Sequence, residues 1–229
     1  MTAAKISTRD QLLETAGRLF AEHGFKGTSI KMIADATEQN IAAVNYHFGN
    51  KQNLLISALR LVLEKIMTPV ASGPAGDKAA AKRELVSYIS ERCQFLLSDR
   101  APTWYGRLIV RAGFEMSFTE AQNGLEFYKP DFDYLEKLAI RLKPDLKADR
   151  ARLWAYSVVG QIFFYVFGRD MILLAGNKTS FDAATIKKVA RHIVEMSSAW
   201  LTEPCNTPDN SAATGRQKIK NTLNKALKR

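Results

Sequence analysis

The chain has 229 residues, 46% of them hydrophobic, and a formal net charge of +10 at pH 7. This length suits one large domain or two small ones, each with a buried core. No apolar run reaches the roughly 18 residues of a membrane span, and the start "MTAAKISTRD" lacks the pattern of a signal peptide. Cys93 and Cys205 have no metal-binding spacing. We therefore expect a cytoplasmic protein with no membrane partner and no disulfide framework.

The positive charge suggests a polyanionic partner, but its distribution does not locate a binding site. The surplus of Lys and Arg over Asp and Glu is shared among residues 1–67, 68–202 and 203–229, and it is smallest in the first of these. Basicity alone therefore does not show which part of the chain would meet the partner.

The first 67 residues have the pattern of four helices. Ser7 opens a Ser-x-x-Asp start signal before an apolar stripe at helical spacing, and Gly24 predicts the end of that helix. Thr28 is predicted to cap a second, short helix, and Asn40 a third helix of about two turns. Asn50 starts a longer helix with one apolar side, formed by Leu54, Leu55, Ala58, Leu59, Val62 and Ile66.

The segment "TPVASGPAGD" at 68–77 is the clearest domain boundary, because its Pro, Gly and Ser content cannot continue a helix. Strand-like alternation is absent, so the sequence predicts an all-α fold. We expect one helical domain at 1–67, a larger helical domain at 78–202 and a basic, flexible tail at 203–229. The helices expected beyond the boundary are 78–98, 103–116, 120–143, 147–174 and 182–202, with breaks at Pro102, Pro130, Pro144 and Gly176.

Three short helices with a tight break before the third predict a helix-turn-helix, whose third helix enters the DNA major groove. The stretch "NIAAVNYHF" suits that position, because small residues let a helix approach base edges and alanine methyls can contact thymine methyls. Asn45 can pair with adenine, and Tyr46, His47 and Lys51 can reach phosphates, whereas Phe48 is expected to pack inside. The candidate DNA-binding residues are Thr28, Ser29, Asn40, Ala42, Ala43, Asn45, Tyr46, His47 and Lys51.

The sequence "LLETAGRLFAEHGFKGTSIKMIADA…NIAAVNYHFGNKQNLL" resembles the DNA-binding domain of the TetR family of transcriptional regulators. The resemblance covers about residues 9–66. The stretch "NIAAVNYHFG", together with "SVVGQIFF" later in the chain, is most similar to the CecR-like branch. It implies an all-helical homodimer that binds operator DNA and carries a ligand-sensing domain behind the helix-turn-helix. The expected function is that of a repressor released by a small aromatic or amphipathic effector.

The resemblance also assigns roles to single residues. Thr28 matches the family's cap that contacts the DNA backbone, and Lys51 matches a lysine that meets phosphate. Asn45 stands where most members have a phosphate-binding tyrosine, so that contact is expected to pass to Tyr46. Residues 37–39 read Thr-Glu-Gln where the family commonly has Ala-Gly-Val. Without this glycine and the buried valine, we expect the geometry and the rigidity of the turn to differ from those common in the family.

Aromatic residues are dense between 103 and 170. Trp104, Arg107, Leu108 and Arg111 fall on one helix face, and an apolar pocket with a few placed polar groups is typical of small-molecule sites. Two alternatives stay open: the aromatics form core, and the two arginines pair with Glu115 or with solvent. The candidate ligand-binding residues are Trp104, Arg107, Arg111, Phe114, Phe118, Phe127 and Phe164.

The helix at 153–168 is apolar around its whole circumference, which indicates that a second element covers it. With the helix at 182–202 and their symmetry mates, it is predicted to form a four-helix dimer interface, where Ser157 and Gly160 permit close approach. The alternative is a helix that is fully internal to its own domain. The apolar residues expected from the last helix are Ile186, Val189, Ile193, Val194, Met196, Trp200 and Leu201.

Two other classes of protein are weighed against the regulator. The sequence has no nucleophile elbow, phosphate-binding loop or His-Glu-x-x-His motif, and His192 and Glu195 have no third metal ligand, so we expect no enzyme, cofactor or metal. An architectural DNA binder without an effector is disfavoured only by the size and aromaticity of the second domain. The tail is either a solubilising end or an arm that folds on DNA phosphates.

Overall fold

The computed structural model describes residues 7–66, 77–99, 101–115 and 118–202, and for residues 118–127 it describes the backbone only. The described part is all-α, as the sequence predicted. The predicted boundary at 68–77, apart from Asp77, and the predicted tail at 203–229 lie outside the described residues. The helices are α1 (Thr8–Gly27), α2 (Ile30–Ala36), α3 (Ile41–Phe48), α4 (Lys51–Ile66), α5 (Lys78–Leu97), α6 (Trp104–Glu115), α7 (Phe118–Leu142), α8 (Ala148–Phe167), α9 (Arg169–Ala175) and α10 (Ala183–Thr202).

The predicted helix starts are confirmed at three positions and wrong at one. The side chains of Ser7 and Asn40 accept hydrogen bonds from backbone N–H groups at the starts of α1 and α3, and Asn50 does the same for α4. Thr28 does not cap α2. Ser29 is the cap, since its hydroxyl accepts from the N–H of Met32 at 3.1 Å.

Gly24 interrupts α1 without ending it. Its φ of +75° and ψ of 174° kink the helix, and one more turn follows to Gly27. A Cβ added at Gly24 would lie 2.6 Å from the carboxylate oxygens of Glu115 on α6. Both the left-handed φ and this close approach require glycine at the kink.

Two predicted boundaries in the second half differ from the structure. Pro130 lies inside α7 instead of ending it, because it is exposed and the carbonyl that loses its N–H partner can bond to water. The predicted helix 147–174 is two helices, α8 and α9, which meet at Gly168 with a bend of 67°. Among the described residues, no single helix is long and apolar enough to cross a membrane. The bent pair α8–α9 reaches that length and apolarity only when both helices are taken together.

The buried residues form two hydrophobic clusters. One joins α5, α7, α8, α9 and α10 around the fully buried Tyr88, Leu135 and Trp154. The other joins α1–α4 and also includes Tyr105, Leu108 and other residues of α6. Helix α6 therefore packs with the helix-turn-helix unit, although it follows the predicted domain boundary in the sequence.

Helices α8, α9 and α10 leave an apolar surface exposed, and most of it comes from α8 and α9. The large exposed side chains there are those of Leu153, Tyr156, Phe164, Phe167, Met171 and Leu174. Most of the apolar residues predicted to come from α10 are not at the surface, because this helix buries its main apolar stripe against α5 of its own chain. That stripe is Ile186, Val189, Ile193 and Leu201; of the predicted α10 residues only Met196 is exposed, while Val194 and Trp200 are partly buried.

The turn between α2 and α3 keeps its tight geometry without the family's glycine. Thr37 is buried, and its hydroxyl donates to the carbonyl oxygens of Ile33 (2.8 Å) and Ala34 (3.1 Å). Glu38 adopts a left-handed φ of +54°, which is unfavourable for a residue with a Cβ. The N–H of Gln39 then donates back to the carbonyl oxygen of Ala34 at 2.9 Å. The turn therefore carries local strain at Glu38.

We expect Glu38→Gly to stabilise the protein, because glycine adopts a left-handed φ without the Cβ clash. After the extra chain entropy of glycine is counted, the gain in the free energy of unfolding is about 0.5–1 kcal/mol, or roughly 1–4 °C in melting temperature. Glu38→Ala is the matched control, since it removes the same carboxylate and keeps the Cβ. Melting temperatures are measured by circular dichroism. Equal values for the two variants would show that the turn is not strained at this residue.

Candidate nucleic-acid interface

Helix α3 has one face fixed in the protein and one face left open. Val44 and Phe48, four residues apart, are buried against the helices around them, with 1% and 6% of their surface exposed. The opposite face presents Ala42, Asn45 and Tyr46, and Tyr46 is 86% exposed. A short helix anchored by two apolar residues and open on its other side can enter a DNA major groove.

The polar groups at the start of α3 and α2 are exposed next to this face. The Asn40 side chain accepts from the N–H of Ala43 at 2.7 Å and leaves its amide donors free for a phosphate. Ser29 caps α2 in the same way and is exposed. Each helix start also directs backbone N–H groups outward, which favours anions.

Thr28 is the predicted contact residue that the structure places elsewhere. Only 1% of its surface is exposed, and its hydroxyl donates to the carbonyl oxygens of Leu19 (3.1 Å) and Gly24 (2.8 Å). Its side chain therefore closes the kink of α1 and does not reach the surface. The sequence pattern could not separate it from Ser29, because both are good capping residues.

Lys51 begins α4 directly behind α3. Its ammonium group donates to the carbonyl oxygens of Phe25 (2.9 Å) and Thr28 (3.0 Å) and lies 4.3 Å from the centroid of the Phe25 ring. Two of its three donors therefore tie the end of α1 to α4, and one donor remains for a phosphate. The phosphate contact of Lys51 that the sequence predicted remains a prediction. The two hydrogen bonds give Lys51 a structural role as well.

Other candidate residues lie at the edge of the open face. Ala43 and His47 are partly buried, and the His47 ring contacts the rings of Tyr46 and Phe48. The sequence reasoning missed Arg9, whose guanidinium lies 5.3 Å from the centroid of the Phe48 ring and whose side chain is exposed beside α3. No local spacing indicates this contact, because it joins the first turn of α1 to the end of α3.

The junction between α6 and the kinked end of α1 contains two residues that were predicted to bind a ligand. Arg111 donates to the carbonyl oxygens of Ala21 (3.1 Å) and Glu22 (2.6 Å) and pairs with Glu115 at 2.9 Å. Glu115 in turn accepts from the N–H of Phe25 at 2.8 Å. The alternative left open by the sequence, a pairing of Arg111 with Glu115, is therefore observed.

Trp104 lies at the same junction, on the side of α1. A Cβ added at Gly17 would lie 2.4 Å from the Trp104 ring, so the glycine permits this close packing of α6 on α1. The ring also meets Tyr105 edge-on, with centroids 4.4 Å apart. The Trp104 side chain therefore packs from α6 onto α1. It does not line the groove lined by Arg107, which is described next.

The remaining ligand candidates are divided between two surfaces. Arg107, Arg111 and Phe114 line one open groove of about 580 Å³ with Phe167 and Asp170, and Arg107 pairs there with Asp170 at 3.4 Å. Phe164 lies instead on the exposed face of α8, near Gly160 and His192. The side chains of Phe118 and Phe127 lie outside the described part of the structure.

The reactive side chains of the described region form no metal or thiol site. No group of three or more His, Cys, Asp or Glu residues lies together among the described residues. Cys93 is a free, buried thiol, and burial raises its pKa to about 12, so it stays protonated and unreactive at neutral pH.

The sequence matches two known domain families. Residues 12–58 match the family described as "Bacterial regulatory proteins, tetR family", and residues 81–202 match "HTH-type transcriptional dual regulator CecR, C-terminal domain". The first match covers α3 with its open face, and the second covers almost all of the helical region behind it.

Several characterised proteins are similar in sequence. The dual regulator CecR of Shigella flexneri is 28% identical over 195 residues, which cover 80% of this chain and 86% of that protein. The repressor NicS of Pseudomonas putida is 35% identical over 88 residues, 36% of this chain and 40% of NicS. The repressor AcnR of Corynebacterium glutamicum is 39% identical over 54 residues, 24% of this chain, and the match spans only 29% of AcnR.

Solved structures share the fold. FadR from Bacillus subtilis, in complex with stearoyl-CoA, has a TM-score of 0.63 at 18% identity, over 82% of this chain and 97% of that one. AibR, in complex with isovaleryl coenzyme A and operator DNA, has a TM-score of 0.61 at 19% identity, over 83% and 97%. From the two domain matches, the chain belongs to the TetR family of bacterial transcriptional regulators, with a C-terminal domain of the CecR type, and is not an enzyme.

Proposed function

We propose that this regulator is a cytoplasmic homodimeric repressor that binds a palindromic operator and is released by a small aromatic or amphipathic effector. The observation that carries the DNA-binding part is the open face of α3, where Ala42, Asn45 and Tyr46 are exposed while Val44 and Phe48 anchor the helix. Such a face has no use inside the protomer, and its residue types suit base edges and phosphates.

Within this proposal, the contacts divide by chemistry. Asn45 would pair with adenine in the major groove, and the methyl groups of Ala42 and Ala43 would meet thymine methyls. Tyr46 would donate its hydroxyl hydrogen to a phosphate, since its long and highly exposed side chain extends beyond the helix. The remaining predicted contacts are to phosphates and would come from Ser29, Asn40, His47 and Lys51.

The dimer is supported by the exposed apolar surface of α8 and α9. Large apolar side chains are seldom exposed together over an extended surface in a monomer unless that surface binds a partner. Gly160 and Ser157 are exposed in the middle of this face, and a Cβ added at Gly160 would meet none of the described atoms within 4 Å. A partner's α8 could therefore approach closely there.

The effector part is supported by relatives and by the size of the second domain. FadR and AibR, which share the fold, are seen with stearoyl-CoA and isovaleryl coenzyme A, molecules with an apolar acyl chain. An effector would act here only by binding one of two conformations more tightly than the other. The operator would then weaken effector binding by the same factor.

We expect Asn45→Ala and Tyr46→Phe to change DNA binding in different ways. Asn45→Ala should lose discrimination at one base pair of each half-site, by about 1–3 kcal/mol, because a base contact is removed. Tyr46→Phe should weaken binding to every sequence equally, because only a phosphate contact is lost. Fluorescence anisotropy with an operator and its single-base variants measures both effects.

Both side chains are exposed, so neither variant should alter the melting temperature. If Asn45→Ala weakened all operator variants by the same factor, Asn45 would not read a base. In that case the assignment of α3 as the recognition helix would lose its main support.

We expect Gly160→Glu to give a monomer, because it places a charge and a new side chain at the centre of the proposed interface. The protomer should stay folded, since the site is open space and glycine is the poorer helix former. Gly113→Glu is the matched control, because a Cβ at Gly113 on α6 also meets none of the described atoms within 4 Å. Sedimentation equilibrium should show a monomer for the first variant and a dimer for the second; two dimers would place the interface elsewhere.

A further inference from the structure

The core behind the helix-turn-helix unit contains a buried polar cluster. Arg92 on α5 donates from Nη2 to Oδ1 of Asp131 on α7 at 2.5 Å, and the Tyr88 hydroxyl donates to Oδ2 of the same carboxylate at 2.5 Å. Only 7% of the Arg92 side chain and 16% of the Asp131 side chain are exposed. Burial raises the pKa of Tyr88 well above its usual value, and the Asp131 carboxylate adds to this, so Tyr88 remains a donor to Asp131.

Arg92 has more donors than its partners use. Its Nε and Nη1 atoms are buried and have no hydrogen-bond partner, while the guanidinium lies 3.5 Å from the centroid of the Tyr88 ring. A buried donor without a partner is costly, and few are found in native proteins. Arg92 therefore has capacity for an acceptor that the described residues do not provide.

A second cluster in the same pair of helices shows a different arrangement. Arg141 on α7 donates to both carboxylate oxygens of Glu84 on α5, at 2.6 and 3.0 Å, and the Tyr134 hydroxyl is 3.4 Å from Glu84. It also combines an arginine, a tyrosine and a carboxylate, here a glutamate, but its arginine donates to the carboxylate through two nitrogens. It lines none of the cavity described next, so it is an internal comparison for the Arg92 cluster.

The Arg92 cluster borders a small cavity of about 20 Å³, which has room for about one water molecule. Apolar and aromatic side chains form the rest of its wall, and the last turn of α4 provides Leu63 and Ile66. A larger occupant would have to move part of this wall. The other lining residues include Leu96, Tyr128, Phe132, Val159, Ile162 and Phe163.

We propose that this cavity is the polar end of the effector site, and that the effector is an apolar molecule with an uncharged carbonyl acceptor bound by Arg92. The proposal rests on the effector-responsive function proposed above. Among the described residues that line the cavity, Arg92 and Asp131 are the only charged ones, and their charges cancel. A neutral carbonyl satisfies a free Arg92 donor without adding charge, whereas a carboxylate would bring an uncompensated negative charge into the core.

The position of α4 gives such a ligand a route to the DNA-binding unit. Leu63 and Ile66 lie at one end of the helix, and Lys51, which ties α4 to the end of α1, lies at the other. A ligand that displaces the last turn of α4 would therefore shift the tie at Lys51 as well. Ligand binding at Arg92 is expected to weaken operator binding through this helix.

Three naphthalene derivatives of similar shape test the ligand class on the full-length protein without DNA. 2-Acetylnaphthalene carries a neutral carbonyl, 2-naphthoate carries a carboxylate and 2-ethylnaphthalene carries no acceptor. By isothermal titration calorimetry, the ketone should bind about ten- to a hundredfold more tightly than the hydrocarbon, the range expected for a hydrogen bond from a charged donor. It should also bind at least about tenfold more tightly than the carboxylate.

The double variant Arg92→Met with Asp131→Asn removes both charges and keeps an acceptor for Tyr88, so the core stays neutral. It should abolish the advantage of the ketone over the hydrocarbon. The matched control, Arg141→Met with Glu84→Gln, removes the other buried pair and should keep that advantage. Arg92→Lys, which retains the charge beside Asp131, is a second variant should the double variant not fold, and it should reduce the advantage at least fivefold.

Several results would overturn the proposal. In the wild-type protein these are no binding by any of the three compounds, which would leave a resident water only, equal binding of ketone and hydrocarbon, or tightest binding by the carboxylate. A ketone advantage that survives in the Arg92 variants, or that disappears in the control variant, would overturn it as well. Operator binding is measured separately, without ligand. A wild-type protein that binds no operator but keeps the Arg92-dependent ketone preference would refute the proposed function and leave this site standing.

Discussion

The hydrogen bonds at the kinked end of α1 are the interaction on which the arrangement of the helices depends. The break at Gly24 leaves backbone groups of residues 21–28 without helical partners. Side chains from two other helices satisfy them: Lys51 of α4, and Arg111 and Glu115 of α6. Each is charged, and charge-assisted hydrogen bonds are stronger than neutral ones. The end of α1 therefore fixes α4 and α6 at one point, immediately behind the recognition helix.

This junction explains why the helix-turn-helix unit and α6 share one hydrophobic cluster. Trp104 packs into the space left at Gly17, and the polar groups of α6 then meet the carbonyl end of the same helix. Helix α4 has 16 residues, so at 1.5 Å per residue it extends about 24 Å from this junction to the cavity beside Arg92, where Leu63 and Ile66 form part of the wall. Because a packed helix moves largely as a unit, a displacement at either end of α4 is felt at the other.

The parts of the fold that the sequence predicted are those decided within a few residues. Asn40 caps α3 through an N–H three residues away, and Phe48, which the sequence placed inside, is buried. The backbone carbonyl groups that accept from Lys51 and Arg111 lie 23 to 90 residues away in sequence, and no local pattern identifies them. The stripe on α10 was recognised as apolar, but periodicity does not say whether a neighbour in the same chain or a second chain covers it.

Three places where the described part of the chain departs from ordinary rules of stability fall at or beside the proposed binding surfaces. Glu38 holds a left-handed φ in the turn before the recognition helix, α8 and α9 expose large apolar side chains, and Arg92 buries donors without partners. Each departure costs free energy in the isolated protomer, and a partner at that surface would offset it for the latter two. The strain at Glu38 has a different role, because it maintains the tight turn that positions α3 relative to α2.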